Sequence, residues 1–310
     1  MLSALNKEIE LMESQVHKNV AIVPIKTPVS YKFDILTLKK AFELDLAEVK
    51  ECKHSEVNTL IVKNKSVTPL LLVDGEEIVG GDQNRIVSST VLIAPESEMK
   101  IPVNCTEQGR WRYEREFVHS DYMANSRTRH AKVSSRYRGE DRQRAVWKSI
   151  HALEDSRGFS SATHAMSESY DNIKNELDVS EFEIASGQTG VLVIVGGKIK
   201  GFELFFNSEI YADYHEKILK SYLIDADIND EVFAVNIDEA KSFIENAIDS
   251  DFKQVARTGL ETPYEFKNPD GIGTVYAYED EIIHLSYFSN EEADGGDENE
   301  NLKEDADIII

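Results

Sequence analysis

The chain is poor in cysteine, tryptophan, proline and basic charge. Two cysteines in 310 residues, Cys52 and Cys105, cannot form the disulfide framework of a small secreted domain. Neither lies in a C-x-x-C pair of the kind that holds zinc or does redox chemistry. The longest apolar stretches, such as VLVIV at 191–195, fall far short of the roughly 20 residues that span a bilayer. The first twenty residues are charged throughout and contain no apolar core of a secretory signal. These absences point to a reducing, cytoplasmic setting without membrane contact. Basic side chains are outnumbered 57 to 34, for a formal charge of -23. That balance disfavours whole-surface attraction to nucleic acid or anionic lipid, which are bound through clustered Lys and Arg. No G-x-G-x-x-G or Walker phosphate loop is present, and no HExxH. His151, His164 and His284 read as isolated structural histidines, and Cys105, with no sequence-adjacent His, is a poor nucleophile. No metal and no cofactor is expected.

What is present is a hydrophobic fraction of 41%, ordinary for a folded chain, over a length that suggests about two structural units. The charge is unevenly spread. Residues 291–307 hold nine acidic side chains and Lys303 alone on the basic side, the mark of a self-repelling segment, so 291–310 is expected to be a disordered acidic tail. Residues 110–148 hold eleven basic residues against five acidic ones, and the Ser- and Gly-interleaved arginines of 110–144 read as a flexible loop. Such a loop is either simply solvated, docked on the acidic tail, or, against the surrounding negative charge, a nucleic-acid contact.

Leu2, Leu5, Ile9, Met12 and Val16 are spaced 3, 4, 3, 4, which predicts an amphipathic helix within 1–19. Short Val-, Ile-, Leu- and Thr-rich segments punctuated by turn residues then fill 20–109, the pattern of an antiparallel meander or sandwich. Helical periods mark the middle, and 145–290 closes with a second, smaller antiparallel β element with helices. The fold class is therefore α+β, with one body over 20–290.

Within the meander, strand directions place the chemistry. The 68–73 segment runs to Asp74-Gly75, a hairpin signal, 77–80 returns to Gly81, 86–94 runs out again, and 99–105 returns. On that path Gln83, Asn84 and Arg85 emerge at the same sheet end as Glu107, Gln108, Arg110 and Trp111, with Asp74 and Glu76 at the other. Guanidinium forks bind phosphate or carboxylate, amides read hydrogen-bonding edges, and an indole offers a stacking face. The group suits a small anionic, nucleotide-like ligand. Equally, Arg85 or Arg110 could form a structural ion pair with Glu107. Glu76 beside Glu77 reads as a solvated turn.

The segments LLLVDGEEIVGGDQNRIVSSTVLI and IPVNCTEQGRWRY, with AVWKSI, SSATHAM and the GVLVIVGGKIKGFELFF region, resemble a family named for its association with ADP-ribosylglycohydrolases and rhodanese-like phosphatases. The likeness covers roughly residues 20 to 290. It implies a role near NAD and ADP-ribose metabolism, and the family motif falls on Glu76, Gln83, Asn84, Arg85, Glu107, Gln108, Arg110 and Trp111. Three readings stand side by side. One is a ligand-binding or regulatory protein, with Arg85 and Arg110 on the anion, Trp111 stacking, Gln83 and Asn84 orienting it, and Gln108 a further ligand-binding residue. A second is a hydrolase or transferase on an ADP-ribose-type substrate, with Glu107 as general base. The third is a non-catalytic scaffold that assembles with itself or with a partner enzyme.

Overall fold

Among the described residues, runs of branched aliphatic residues bounded by turns fold into three sheets, the expected α+β architecture. The computed structural model describes residues 9–27, 33–52, 56–110, 112–174, 176–224 and 226–290. The acidic tail, Trp111 and residues 1–8 lie outside the described residues.

The strand Val20–Lys26, VAIVPIK, is buried along its length up to Lys26, the signature of a strand covered on both faces. It pairs antiparallel with Gly190–Val195, in a register running from Val20 opposite Val195 to Ile25 opposite Gly190. From there the sheet continues through Lys198–Leu204, Glu281–Ser289, Gly271–Tyr278, Thr262–Asn268 and Lys253–Gln254. This strand therefore leaves the N-terminal block to which its position assigned it. The C-terminal sheet, nine-stranded among the described residues, is the larger β element and not the smaller. An apolar run states how deeply it will be buried but not beside which neighbour.

The helix expected before it is absent from residues 9–19. Glu10–Leu11 pairs with Ile25 and Lys26, and Gln15–His17 pairs with Val20 to Ile22. Lys18, at φ 55°, closes a tight hairpin there. Pairing with a buried, largely apolar strand overrides a helical period of about four turns, which is a weak local preference.

A six-stranded sheet runs in the order Val118–Met123, Glu76–Val79, Arg85–Val87, Ser97–Cys105, Thr59–Asn64, Ala47–Glu51. A three-stranded one holds Val91–Ile93, Leu70–Leu72 and Leu36–Thr37, whose last pairing is parallel. The meander is thus split. Leu70–Leu72 pairs with Val91–Ile93 and not with Glu76–Val79, because Asp74-Gly75 turns the chain from one sheet into the other. Gly75 takes φ 83°. The 86–94 segment makes the same passage at Ser88–Thr90, shown by its division into two strands.

Six helices complete the described fold: α1 (Leu38–Glu43), α2 (Ser126–Arg138), α3 (Arg142–Arg157), α4 (Met166–Ile173), α5 (Ser208–Leu223) and α6 (Ile237–Ile248). Helix α2 occupies the stretch read as an Arg-rich loop. Asn125 caps its N-terminus by accepting from Thr128 N at 3.0 Å, and Gly139 ends it in the left-handed region. Two of its cations, Arg129 and Lys132, are buried, while Arg136 and Arg138 stay exposed. Arg129 pairs with Glu203 at 2.8 Å, both fully buried, and its guanidinium lies 4.7 Å from the Phe288 ring centroid. Lys132 pairs with buried Asp74, and Arg136 with Glu265. Helix α2 therefore ties the Asp74 turn of the N-terminal block to the C-terminal sheet. Burial alone would raise the Glu203 carboxyl, but Arg129 and His284 outweigh it and hold its pKa below the usual value. Local basic composition misled because the neutralising acids lie far away in sequence.

Helix α5 makes a second tie. It packs on both Gly190–Val195 and Val118–Met123, and its Lys217 reaches Glu76 at 3.0 Å. No helix among the described residues is long and apolar enough to cross a membrane.

Candidate functional site

Because Glu76–Val79, Arg85–Val87 and Ser97–Cys105 are antiparallel neighbours, the loop 80–84 and the segment 106–110 do emerge at one sheet end. Their backbones join where Thr106 N donates to Asn84 O at 3.1 Å. Gln83, fully buried, donates its amide to Glu107 O at 2.7 Å.

At the centre is the pair Glu107 and Arg110. Arg110 Nε and Nη2 reach Glu107 Oε2 at 2.8 and 2.7 Å. The other guanidinium hydrogens go to Gly81 O at 2.8 Å, Arg112 O at 3.1 Å and Asn84 Oδ1 at 3.0 Å. Glu107 also accepts from Asn84 N at 3.3 Å and, on Oε1, from Thr163 Oγ1 at 3.0 Å. Both residues are buried. The structural ion pair is thus realised for Arg110. Its guanidinium is committed to protein acceptors, and the Glu107 oxygens are crowded with donors, which suits an anchor more than a proton acceptor. The close approach needs Gly81. At φ 55° a Cβ there would stand 2.2 Å from the Phe117 ring.

Arg85 sits elsewhere. Buried in its strand, it donates to Gln83 Oε1 at 3.2 Å and Asn84 O at 3.3 Å, with Glu51 at 3.5 Å. Gln108 is half-buried and turned to His151, its Oε1 at 2.8 Å from Nε2. Glu76, read as a solvated turn, is fully buried and accepts from Lys217 and from Tyr214 Oη at 3.1 Å. Glu77 is buried too, taking Ser120 Oγ at 2.8 Å and Thr106 Oγ1 at 3.4 Å. Burial pushes its carboxyl up to about 7 despite those hydroxyls.

Over the Glu107–Arg110 pair opens a cleft of about 580 Å³, lined among others by Asn84, Arg112, Tyr113, Arg115, Thr163 and Ser167. Arg112, Tyr113 and Arg115 are exposed. The far wall comes from the segment before α4 and its first turn. Ala165 bridges to Glu107, and Ser167 Oγ accepts from Asn84 Nδ2 at 3.3 Å. Gln83, Arg85 and Gln108 do not line the cleft. Of the residues picked from the sequence, Asn84, Glu107 and Arg110 do.

The elements that build this end of the sheet fall inside a span, residues 8–288, that matches a family model, the ARG and Rhodanese-Phosphatase-superfamily-associated Protein domain. The chain belongs to this family. No curated protein and no solved structure matches it. The family domain spans both the sheet that carries the cleft and the sheet bound to it through α2, so the buried ion pairs are internal to one family unit.

Sequence reasoning missed Arg112, Tyr113 and Arg115, which sit directly after the EQGRW motif, and Thr163 and Ser167 in SSATHAM. The signal for the first three was the continuing alternation of cation and aromatic in RWRYER. It also missed that two histidines are not isolated. His151, Glu154 and His164 each bring a ligand-type atom within 4.8 Å of the others.

Proposed function

We propose that the cleft binds a small anionic ligand of the nucleotide or ADP-ribose type, and that the protein acts by binding alongside a partner enzyme. The observation that carries this is the pair of exposed guanidinium groups, Arg112 and Arg115, on a cleft whose floor is the Glu107–Arg110 pair and whose lining also holds the carboxylates of Glu114, 3.4 Å from Arg110, and Glu168. Neither Arg112 nor Arg115 has an ion pair among the described residues beyond backbone contacts. Their charge is therefore available to a phosphate or carboxylate. The exposed Tyr113 ring supplies a face for a base, and Asn84, Thr163 and Ser167 supply polar edges for a sugar. A volume of about 580 Å³ falls in the usual range of small-molecule sites, roughly 300–1,000 Å³. The saturated Glu107 favours binding over hydrolysis at this spot.

The family description, which associates its domain with the rhodanese-phosphatase superfamily, supports the partner. A thermal-shift panel of ADP-ribose, NAD and related nucleotides, with product analysis of any hit, tests the reading. A ligand at 100 times its Kd stabilises the fold by about 2.7 kcal/mol, and Arg112→Ala/Arg115→Ala should abolish that shift. Absence of a shift with every compound at millimolar concentration would overturn it.

A further inference from the structure

His151 and Glu154 stand one turn apart on α3, and His164 lies on the loop that follows it. The spacing i, i+3 puts the first two on one helix face. Glu154 is buried, and its Oε2 receives His164 Nδ1 at 2.6 Å while its Oε1 holds Ser161 N at 3.1 Å. The two imidazole centroids are 4.3 Å apart. His164 is held at φ 51°, a left-handed conformation uncommon for residues other than glycine. Its side chain remains 35% exposed.

The geometry points to a divalent transition-metal site at His151, Glu154 and His164, of the type that takes Zn²⁺. Two imidazoles and one carboxylate are a nitrogen and oxygen set suited to Zn²⁺, and three protein ligands leave a fourth position open. Ligand atoms at about 2.1 Å from one ion lie about 3.4 Å apart in a tetrahedron. The three atoms now span at most 4.8 Å, so modest torsional changes, chiefly of the half-exposed His164, close the set. Two further features fit. The Gln108 amide bonded to His151 Nε2 at 2.8 Å fixes the ring, as outer partners of metal-bound histidines do. Ser161 N fixes the carboxylate in the same way.

The site shares a wall with the cleft, since Gly109 N donates to Thr163 O at 2.9 Å and Thr163 holds Glu107. The open metal position is thereby within one loop of the anion-binding face. The assignment does not rest on the identity of the cleft's ligand.

The test is metal uptake by the full chain after stripping with chelator. Titration with Zn²⁺ should load one equivalent, and Co²⁺ as a probe should give the visible absorption of a tetrahedral site. His151→Ala and His164→Ala should each weaken binding by about 100-fold or more, and Gln108→Ala by about 10-fold. Glu154→Gln keeps an acceptor for Ser161 N and should also lose the ion. Far-ultraviolet circular dichroism and the metal-free Tm of each variant separate loss of ligand from loss of fold. A wild-type chain that takes up no equivalent of either ion overturns the assignment, as does uptake left unchanged in the folded histidine variants. In that case the three residues are a hydrogen-bonded set and nothing more.

Discussion

Lys132 on α2 forms its ion pair with Asp74, at the turn where the chain leaves the three-stranded sheet for the six-stranded one. Both side chains are 2% exposed, and Lys132 Nζ also donates to Val87 O at 3.3 Å. A charge withdrawn this far from water persists only while paired. Lys132→Met should therefore destabilise the protein by about 3–5 kcal/mol by orphaning Asp74. Adding Asp74→Asn should recover a substantial part of the loss, giving a coupling energy of at least about 1 kcal/mol. Urea denaturation of the two single variants and the double variant measures it. Additive losses would mean that the two groups are not one unit.

Glu77 predicts a pH dependence. Its folded pKa, about 7, stands above the unfolded value of about 4.5, so the folded state holds the proton more tightly. The stabilisation is complete below about pH 4.5 and is lost as pH rises through about 7. The full span amounts to about 3 kcal/mol. Glu77→Gln, which carries no ionisable proton, should lose less stability between pH 5 and 8 than wild type and should be the more stable of the two at pH 8. Denaturant midpoints across that range check both statements, and parallel curves for the two proteins would contradict them.

Gly81 and Gly139 separate two costs. Both take positive φ, but a Cβ at Gly81 meets the Phe117 ring at 2.2 Å while one at Gly139 meets nothing within 4 Å. Gly139→Ala should cost about 1–2 kcal/mol, the price of a left-handed residue with a side chain. Gly81→Ala should cost more, since a buried ring must also move. The same substitution would loosen the loop that accepts from Arg110. Equal urea midpoints for the two variants would argue against this reading of the cleft floor.

The strand directions that bring Asn84 to Glu107 were legible because antiparallel neighbours joined by short turns alternate in sense, whichever sheet each belongs to. What pairs with what was not. Leu70–Leu72 and Glu76–Val79 look like one hairpin around Asp74-Gly75, and only their pairing with other strands, Val91–Ile93 for the first and Arg85–Val87 for the second, shows that the turn joins two sheets. Arg129 and Lys132 suggested solvent because nothing near them in sequence could neutralise them. The caps of their helix, Asn125 and Gly139, were visible all along. Arg85 was misplaced for a related reason. A strand arginine beside a loop looks exposed until Glu51, on another strand of the same sheet, is seen to receive it. His151 and Glu154 could have been paired by helical spacing, but His164 joins them only through the path of the loop after α3.

Arg110 and Arg112, two residues apart, should respond to alanine in opposite ways. Arg110 is buried against Glu107, so Arg110→Ala leaves a carboxylate without its cation and should cost about 3–5 kcal/mol of stability. Arg110→Lys should rescue little of this, because an ammonium cannot reproduce the fork that reaches Glu107, Asn84 Oδ1 and Gly81 O together. Arg112 is exposed on the cleft. Its removal should change stability by no more than about 0.5 kcal/mol, yet weaken an anionic ligand about 10- to 100-fold through the loss of one charge-assisted hydrogen bond. Measuring urea stability and ligand-induced thermal shift on both variants separates the two roles. If Arg112→Ala bound the ligand as wild type does, the cation facing the anion would have to be Arg115 alone, and the same measurement on Arg115→Ala decides that.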